Sequence, residues 1–157
     1  MKDRAIDHVA IVVKDLAAML TLYSEVLGFP IAYRETIADQ GVSIVGIAAG
    51  DSVIELLAPL SEESAIARFR GEAESKLHHT AYRVADISAE LAALKARGVR
   101  LIDETPRKGA HGNLIAFLHP KSTGGVLVEL CQAGLSTCAA ARSLGHGLPE
   151  LGEGPLL

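Results

Sequence analysis

The fold is decided by residues 7–16, DHVAIVVKDL, which recur in altered form as residues 78–87, HHTAYRVADI. In both segments an alternating strand runs into a helical pattern. Alternation places His8, Ala10 and Val12 on one face of the first strand. The matching positions of the second copy are His79, Ala81 and Arg83. An internal repeat of this size predicts two copies of one supersecondary unit.

Both copies continue with the same order of elements. Apolar residues spaced three and four apart predict a helix after each strand, and Gly28 and Gly98 are typical of the C-caps that would end these helices. The two apolar stripes comprise Leu16, Met19, Leu20, Tyr23, Val26 and Leu27, and then Ile87, Leu91 and Leu94. A strand should begin at Ile31 or Val99, followed by a turn-rich hairpin and a final strand at 52–57 or 126–131. Each half is therefore predicted to be a βαβββ module.

The chain divides accordingly into four parts within one α+β domain. We expect a first module at 1–60, a connecting helix and loop at 61–75, a second module at 76–133 and a C-terminal tail at 134–157. Serines at 61 and 64 supply a candidate N-cap for the connecting helix. The tail is rich in glycine, proline and small residues, which predicts a short helix and a mobile end.

Composition excludes several classes of protein. The chain has 157 residues, of which 49% are hydrophobic and 22% charged, so a packed core is expected rather than disorder. A net charge of −4 gives no basic stripe for nucleic acid. No apolar run approaches the ~18–20 residues of a membrane helix, and the first residues lack a signal-peptide core. We expect a soluble cytoplasmic protein with Cys131 and Cys138 as free thiols.

The repeat also places one histidine on the first strand and one glutamate on the last strand of each half. These residues are His8, Glu55, His79 and Glu129. Each glutamate lies in an apolar run, where an unpaired carboxylate would be costly to bury. Any one of the four alone is more often structural than a ligand. A pseudo-twofold relation between the halves would bring all four together, and two imidazoles with two carboxylates form a suitable set of ligands for a divalent metal.

Five motifs resemble those of the methylmalonyl-CoA epimerase family, part of the vicinal oxygen chelate superfamily. They are IDHVA (6–10), DQGV (39–42), IELLAPL (54–60), LHHTAYRV (77–84) and HPKSTGGVLVEL (119–130), and the similarity spans about residues 5–132. The HPKS loop and the second histidine of the His-His pair are fairly specific to epimerases, whereas the His/Glu set marks only the superfamily. The resemblance implies a cup-shaped mixed sheet around a metal, usually in a homodimer.

The resemblance further implies an enzyme that interconverts (2R)- and (2S)-methylmalonyl-CoA, with ethylmalonyl-CoA as a second candidate substrate. The reaction removes and returns the proton between the thioester and the carboxylate. A metal held by His8, Glu55, His79 and Glu129 would stabilise the enolate, with cobalt favoured and manganese, nickel, zinc and iron as alternatives. Glu129 and Glu55 would flank the carbon as acid and base. The candidate CoA-substrate loop contains Lys121 and Ser122.

One position departs from part of the family. Some epimerases carry a glutamate two residues beyond the Gln-Gly-Val motif and a glutamine where this chain has Glu55, whereas the first of these positions here is Ile44. We therefore hypothesise that Glu55 combines metal ligation with proton transfer. His78 is expected to point to the opposite face from His79 and to be structural.

Three other functions remain open at this point. The first is a glyoxalase I-like isomerase that processes a glutathione thiohemiacetal in the same type of cup. The second is an iron-dependent dioxygenase of this fold, which typically uses two histidines and one carboxylate, so the fourth candidate ligand argues against it. The third is a metal-free protein that sequesters a small molecule such as an antibiotic, and the intact His/Glu set argues against that.

Overall fold

Eight strands form one curled, mixed sheet in the computed structural model of the chain, which describes residues 4–134. The strands are β1 (Ile6–Val13), β2 (Ile31–Ile37), β3 (Val42–Ala49), β4 (Ser52–Pro59), β5 (Ser75–Arg83), β6 (Arg107–Lys108), β7 (Leu114–Leu118) and β8 (Val128–Gln132). Their order is β2-β3-β4-β1-β5-β8-β7-β6. Each half contributes four adjacent strands, and β1 pairs with β5 in antiparallel fashion at the centre. The predicted α+β fold is therefore confirmed.

Three helices connect the strands, and each begins at a capping side chain. They are α1 (Leu16–Leu20), which continues as a π-helical turn (Thr21–Val26), α2 (Ala65–Arg70) and α3 (Ile87–Ala96). Asp15, Ser64 and Asp86 accept hydrogen bonds from the backbone N–H three residues further on. Gly28 and Gly98 follow α1 and α3 with φ angles of 75° and 80°, as predicted for C-caps.

Helices α1 and α3 both pack on the outer face of the sheet, whereas Ile66 of α2 packs against the inner face. Residues of α1 and the turn after it cover the outer face of the first half, against Val45, Ile47 and Leu56. Helix α3 covers the outer face of the second half with Ile87 and Leu91. The inner face of the first half carries a third apolar cluster, comprising Ala10, Val12, Val42, Ile44 and Leu57. The strand faces that carry His8 and His79 therefore look inward, away from α1 and α3.

The strand predicted to begin at Val99 is wrong. In the segment between α3 and β7, Leu101 forms an isolated bridge with Leu118, and only the two residues of β6 pair regularly with β7. The backbone N–H of Phe117 donates instead to the side chain of Asp103, at 2.8 Å. Pro106 has no N–H to offer a ladder. A side-chain acceptor thus takes a backbone donor that a longer strand would need, although the Ile102 N–H still donates to the carbonyl of Phe117.

Other boundaries also differ from the sequence-based ones. The final strands run to Pro59 and Gln132, slightly beyond their predicted ends. The last two residues of the first helical stripe are not core residues, since Val26 is 69% and Leu27 52% exposed. The π-helical turn changes the phase of the helix there, so the 3.6-residue periodicity no longer describes which side chains face the sheet.

Two predictions concern residues that the structure does not describe. The tail predicted from residue 134 onward lies outside the described residues except for Gly134, and so does Cys138. Cys131 is a buried free thiol on β8. Among residues 4–134, none of the helices combines the length and apolarity that crossing a membrane requires.

The outer-face cluster under α1 should carry much of the stability of the first half. Leu56 is completely buried there, so Leu56→Ala should lower the free energy of unfolding by about 2–5 kcal/mol. Leu60→Ala removes the same atoms from a residue that is 52% exposed, and it should cost less than about 1 kcal/mol. Urea unfolding of both variants measures the difference. Equal losses would contradict this account of the core.

Candidate metal centre

The four predicted ligand residues meet on the inner face, on the four central strands. His8 lies on β1, Glu55 on β4, His79 on β5 and Glu129 on β8, and each is at most 7% exposed. The Nε2 atoms of the two histidines are 3.0 Å apart. Carboxylate oxygens of Glu55 and Glu129 both lie 3.6 Å from Nε2 of His8, and Glu129 also lies 3.6 Å from Nε2 of His79. The repeat therefore does assemble the four residues in one place.

Strand register explains why these side chains can meet. Glu55 and His79 both pair with Ala10, so the three residues form a row across β4, β1 and β5. Glu129 and His8 both pair with Ala81, which forms an equivalent row across β8, β5 and β1. Both alanines are fully buried. Because an alanine side chain is only a methyl group, space remains above the sheet at the middle of each row. The longer glutamate and histidine side chains on either side converge in that space.

A β-bulge precedes each histidine. The register between β1 and β5 shifts between Ile6 and His8, so Asp7 is an extra residue on β1. The register shifts again between Ala10 and Ile11, where His78 is the extra residue on β5. Oδ2 of Asp7 lies 2.9 Å from Nδ1 of His8, and Nδ1 of His78 lies 2.8 Å from Nδ1 of His79. The prediction that His78 points away from His79 is therefore wrong, because strict alternation does not hold through a bulge.

These contacts orient the imidazoles. A histidine that binds metal through Nε2 carries its proton on Nδ1 and usually donates it to a neighbouring acceptor. Asp7 is such an acceptor for His8, and Arg83 holds Asp7 in turn through a 3.0 Å ion pair. His78 takes the same place beside His79, and its ring packs edge-on against Phe69. Both Nε2 atoms are thereby left facing the cluster.

Burial sets the protonation of the site. Burial raises the pKa of Glu129 to about 8, and the carboxylate of Glu55 adds to the effect while His8 opposes it. Burial also lowers the pKa of His79 far below its ordinary value, assisted by His8 and His78. Burial would do the same to His8, but the Asp7 hydrogen bond and the nearby glutamates outweigh it and raise its pKa. Without a bound cation, the protein therefore stabilises the charged form of His8 but not the charged forms of His79 and Glu129.

The donor set fits a divalent cation. Ligand atoms of His8, His79 and Glu129 all lie within 4.8 Å of one another. Oε1 of Glu129 is buried and has no hydrogen-bond partner, which is costly for a carboxylate oxygen unless a cation or proton compensates it. Glu55 stands slightly apart, in contact with His8. Two imidazoles with carboxylates suit several first-row metals, so the donor set alone does not select one of them.

Tyr33 is part of this site and was missed by the sequence analysis. Its phenol donates a 2.6 Å hydrogen bond to Oε1 of Glu55. Burial, together with the Glu55 carboxylate, raises the pKa of Tyr33 well above its ordinary value, so the phenol stays a donor. The available signal was Gly46, since a glycine inside an apolar strand often marks a place where another group approaches closely.

Other candidate residues lie elsewhere. Ile44 is 5% exposed and packs in the inner-face core. Lys121 and Ser122 are exposed residues of a 3₁₀ turn (Pro120–Ser122) between β7 and β8. Oγ of Ser122 accepts a hydrogen bond from the backbone N–H of Arg100, at 2.9 Å. That bond shows a structural role for Ser122, and a role of the loop in binding substrate stays a prediction.

Comparison with known proteins places this geometry in a family. Residues 7–117 match the model of the Glyoxalase/Bleomycin resistance protein/Dioxygenase superfamily. The ethylmalonyl-CoA/methylmalonyl-CoA epimerase of Cereibacter sphaeroides is 41% identical over 129 residues, which cover 81% of this chain and 96% of that protein.

Two solved structures support the same family assignment. That of Mycobacterium tuberculosis methylmalonyl-CoA epimerase superposes with a TM-score of 0.78 at 38% identity, covering 85% of this chain and 91% of that one. A variant of Streptomyces coelicolor methylmalonyl-CoA epimerase in complex with 2-nitronate-propionyl-CoA gives 0.76 at 34% identity, covering 83% and 95%. The resemblance inferred from the motifs is confirmed. The chain belongs to the Glyoxalase/Bleomycin resistance protein/Dioxygenase superfamily and, within it, to the family of the methylmalonyl-CoA epimerases.

Proposed function

We propose that this protein is a metal-dependent epimerase that interconverts (2R)- and (2S)-methylmalonyl-CoA. The observation that carries the proposal is the pair of buried glutamates, Glu55 and Glu129, on the strands that flank the two histidine strands. Epimerisation requires one acid/base group on each side of the reacting carbon. The names of the relatives and the CoA ligand of the Streptomyces coelicolor structure support a CoA thioester as substrate.

The proposed reaction is a proton exchange at C2. One carboxylate takes the C2 proton from one face, and the other, which begins protonated, returns a proton to the opposite face. Burial raises the pKa of Glu129 in the metal-free protein, and a bound divalent cation would stabilise the carboxylate form that accepts a proton. A divalent cation, when bound by His8, His79 and Glu129 with Glu55 as a further ligand, supplies Lewis-acid stabilisation of the enolate. Cobalt is the ion that the family resemblance favours.

The surroundings of the site fit this chemistry. Apolar side chains lie on the inner face around the site, among them Phe117, whose ring packs edge-on against His79 with the ring centroids 5.1 Å apart. Exclusion of water strengthens the electrostatic interactions of a developing enolate. Asp7 and His78 hold the imidazoles in place, so these rings need not reorganise during the reaction. The homodimer, the cytoplasmic location and ethylmalonyl-CoA as a second substrate stay predictions.

Exchange of the C2 proton tests the function directly. Cobalt-loaded protein in deuterated water should exchange that proton of methylmalonyl-CoA, as measured by proton NMR. Glu129→Gln should abolish exchange of the epimer whose proton faces residue 129, because the amide cannot take up the proton. Glu104→Gln is the matched control, since Glu104 is exposed and pairs with Lys95. Absence of exchange by folded, metal-loaded wild-type protein would refute the proposal and favour the glyoxalase-like isomerase.

Metal binding is tested by equilibrium dialysis. The wild-type chain should bind about one cobalt ion, and His79→Ala should weaken binding at least tenfold because one of the converging ligand atoms is lost. His119→Asn is the control: His119 caps the 3₁₀ turn at residues 120–122, and asparagine keeps a capping acceptor. A wild-type protein that binds no metal would point instead to the metal-free binding protein.

The double role of Glu55 is tested by Glu55→Gln. Glutamine keeps the length and an acceptor for Tyr33 but cannot carry the proton, so epimerisation should fall about a hundredfold or more. The cobalt dissociation constant, measured in parallel, should rise because a neutral amide is a weaker ligand than a carboxylate. A variant that keeps both its metal and its full epimerisation rate would remove Glu55 from the mechanism.

A further inference from the structure

Tyr33 reaches the site along a row of three strands. Tyr33 on β2 pairs with Gly46 on β3, and Gly46 pairs with Glu55 on β4. A Cβ atom at Gly46 would lie 2.4 Å from the tyrosine ring, so any larger residue there would displace the ring. The ring therefore lies across β3, over the one position in the row that has no side chain. This arrangement gives the phenol the reach to contact a residue two strands away.

Because of this contact, the two carboxylate oxygens of Glu55 have different neighbours. Oε1 accepts the 2.6 Å hydrogen bond from Tyr33. Oε2 is thereby turned toward the histidines and lies 3.6 Å from Nε2 of His8. Tyr33 is itself held in place, because the ring of His111 packs against it with the ring centroids 3.9 Å apart. The orientation of Glu55 thus depends on a side chain whose own position is fixed on two sides.

The other half of the site has a different arrangement. The residue paired with Glu129 on the neighbouring strand is Phe117, where the corresponding neighbour of Glu55 is Gly46. A phenylalanine supplies no hydrogen-bond donor, and Oε1 of Glu129 has no hydrogen-bond partner, with Nε2 of His8 3.6 Å away. Glu55 and Glu129 are equivalent in the repeat, yet only Glu55 is anchored by a phenol. The anchor is therefore a specific feature of the first half.

We propose that Tyr33, admitted by Gly46, is a positioning residue that fixes Glu55 with Oε2 directed at the metal centre. The inference deepens the proposed function and rests on the metal site described there. Loss of the phenol hydroxyl would leave Oε1 buried without a donor, and the carboxylate would lose its fixed orientation. Supporting contacts of this kind typically change metal affinity by ten- to a hundredfold.

A double-mutant cycle on cobalt binding tests this role without substrate. Tyr33→Phe removes only the hydroxyl, and Gly46→Ala displaces the ring, so each should raise the cobalt dissociation constant about tenfold and alter the visible absorption spectrum of the bound ion. The double variant should bind no more weakly than either single one, because both changes break the same hydrogen bond. Tyr23→Phe, in the outer-face cluster, should bind cobalt like the wild type.

Each result decides the inference. Wild-type affinity and spectrum in Tyr33→Phe would overturn it, and so would penalties that multiply to about a hundredfold in the double variant, since independent losses imply packing damage. Since Tyr33→Phe is the smaller change, it decides alone if Gly46→Ala does not fold. Failure of the wild type to bind cobalt would also overturn it. A wild type that binds cobalt but does not exchange methylmalonyl-CoA would refute only the proposed function.

Discussion

Two carboxylates and two imidazoles buried on one face of a sheet must be compensated, and this requirement shapes the surrounding structure. Transfer of an unpaired charge from water costs several kcal/mol even after the protein relaxes. The alanines at positions 10 and 81 leave room for the four groups to meet. Asp7 and His78 satisfy the outer nitrogens of the two histidines. Compensation inside the cluster remains incomplete, because Oε1 of Glu129 accepts no hydrogen bond, and that is the property expected of a cation site.

The repeat gives the two halves of the site equivalent candidate ligands, but the residues that contact these ligands differ between the halves. His8 has a carboxylate behind it, whereas His79 has a second imidazole. Glu55 has a phenol, whereas Glu129 has a phenylalanine beside it. A reaction that presents opposite faces of one carbon to two acid/base groups does not require these groups to be identical. The different surroundings hold Glu55 through a hydrogen bond and leave Oε1 of Glu129 without a hydrogen-bond donor.

The sequence was sufficient to predict the parts of this structure that repeat. Alternation around His8, equivalence of Glu55 with Glu129, and the glycines after α1 and α3 follow from short-range pattern and spacing. The strand at Val99 did not follow, because the Asp103 side chain took the place of a backbone acceptor. His78 was misplaced because a bulge is not visible in a two-residue periodicity. Tyr33 was missed because its contact depends on the register of three strands, which no local pattern reports.

The two rows of ligand residues cross the pairing of β1 with β5, and this has a consequence for folding. The glutamate of one half stands in a row with the histidine of the other, so neither half holds a complete row. A cation bound by these residues would act as a clamp between the halves, and its binding free energy would add to the cohesion of the domain. Binding of the ion and association of the two halves are then thermodynamically coupled. A chain with weakened pairing of β1 with β5 would therefore recover stability as the ion is supplied.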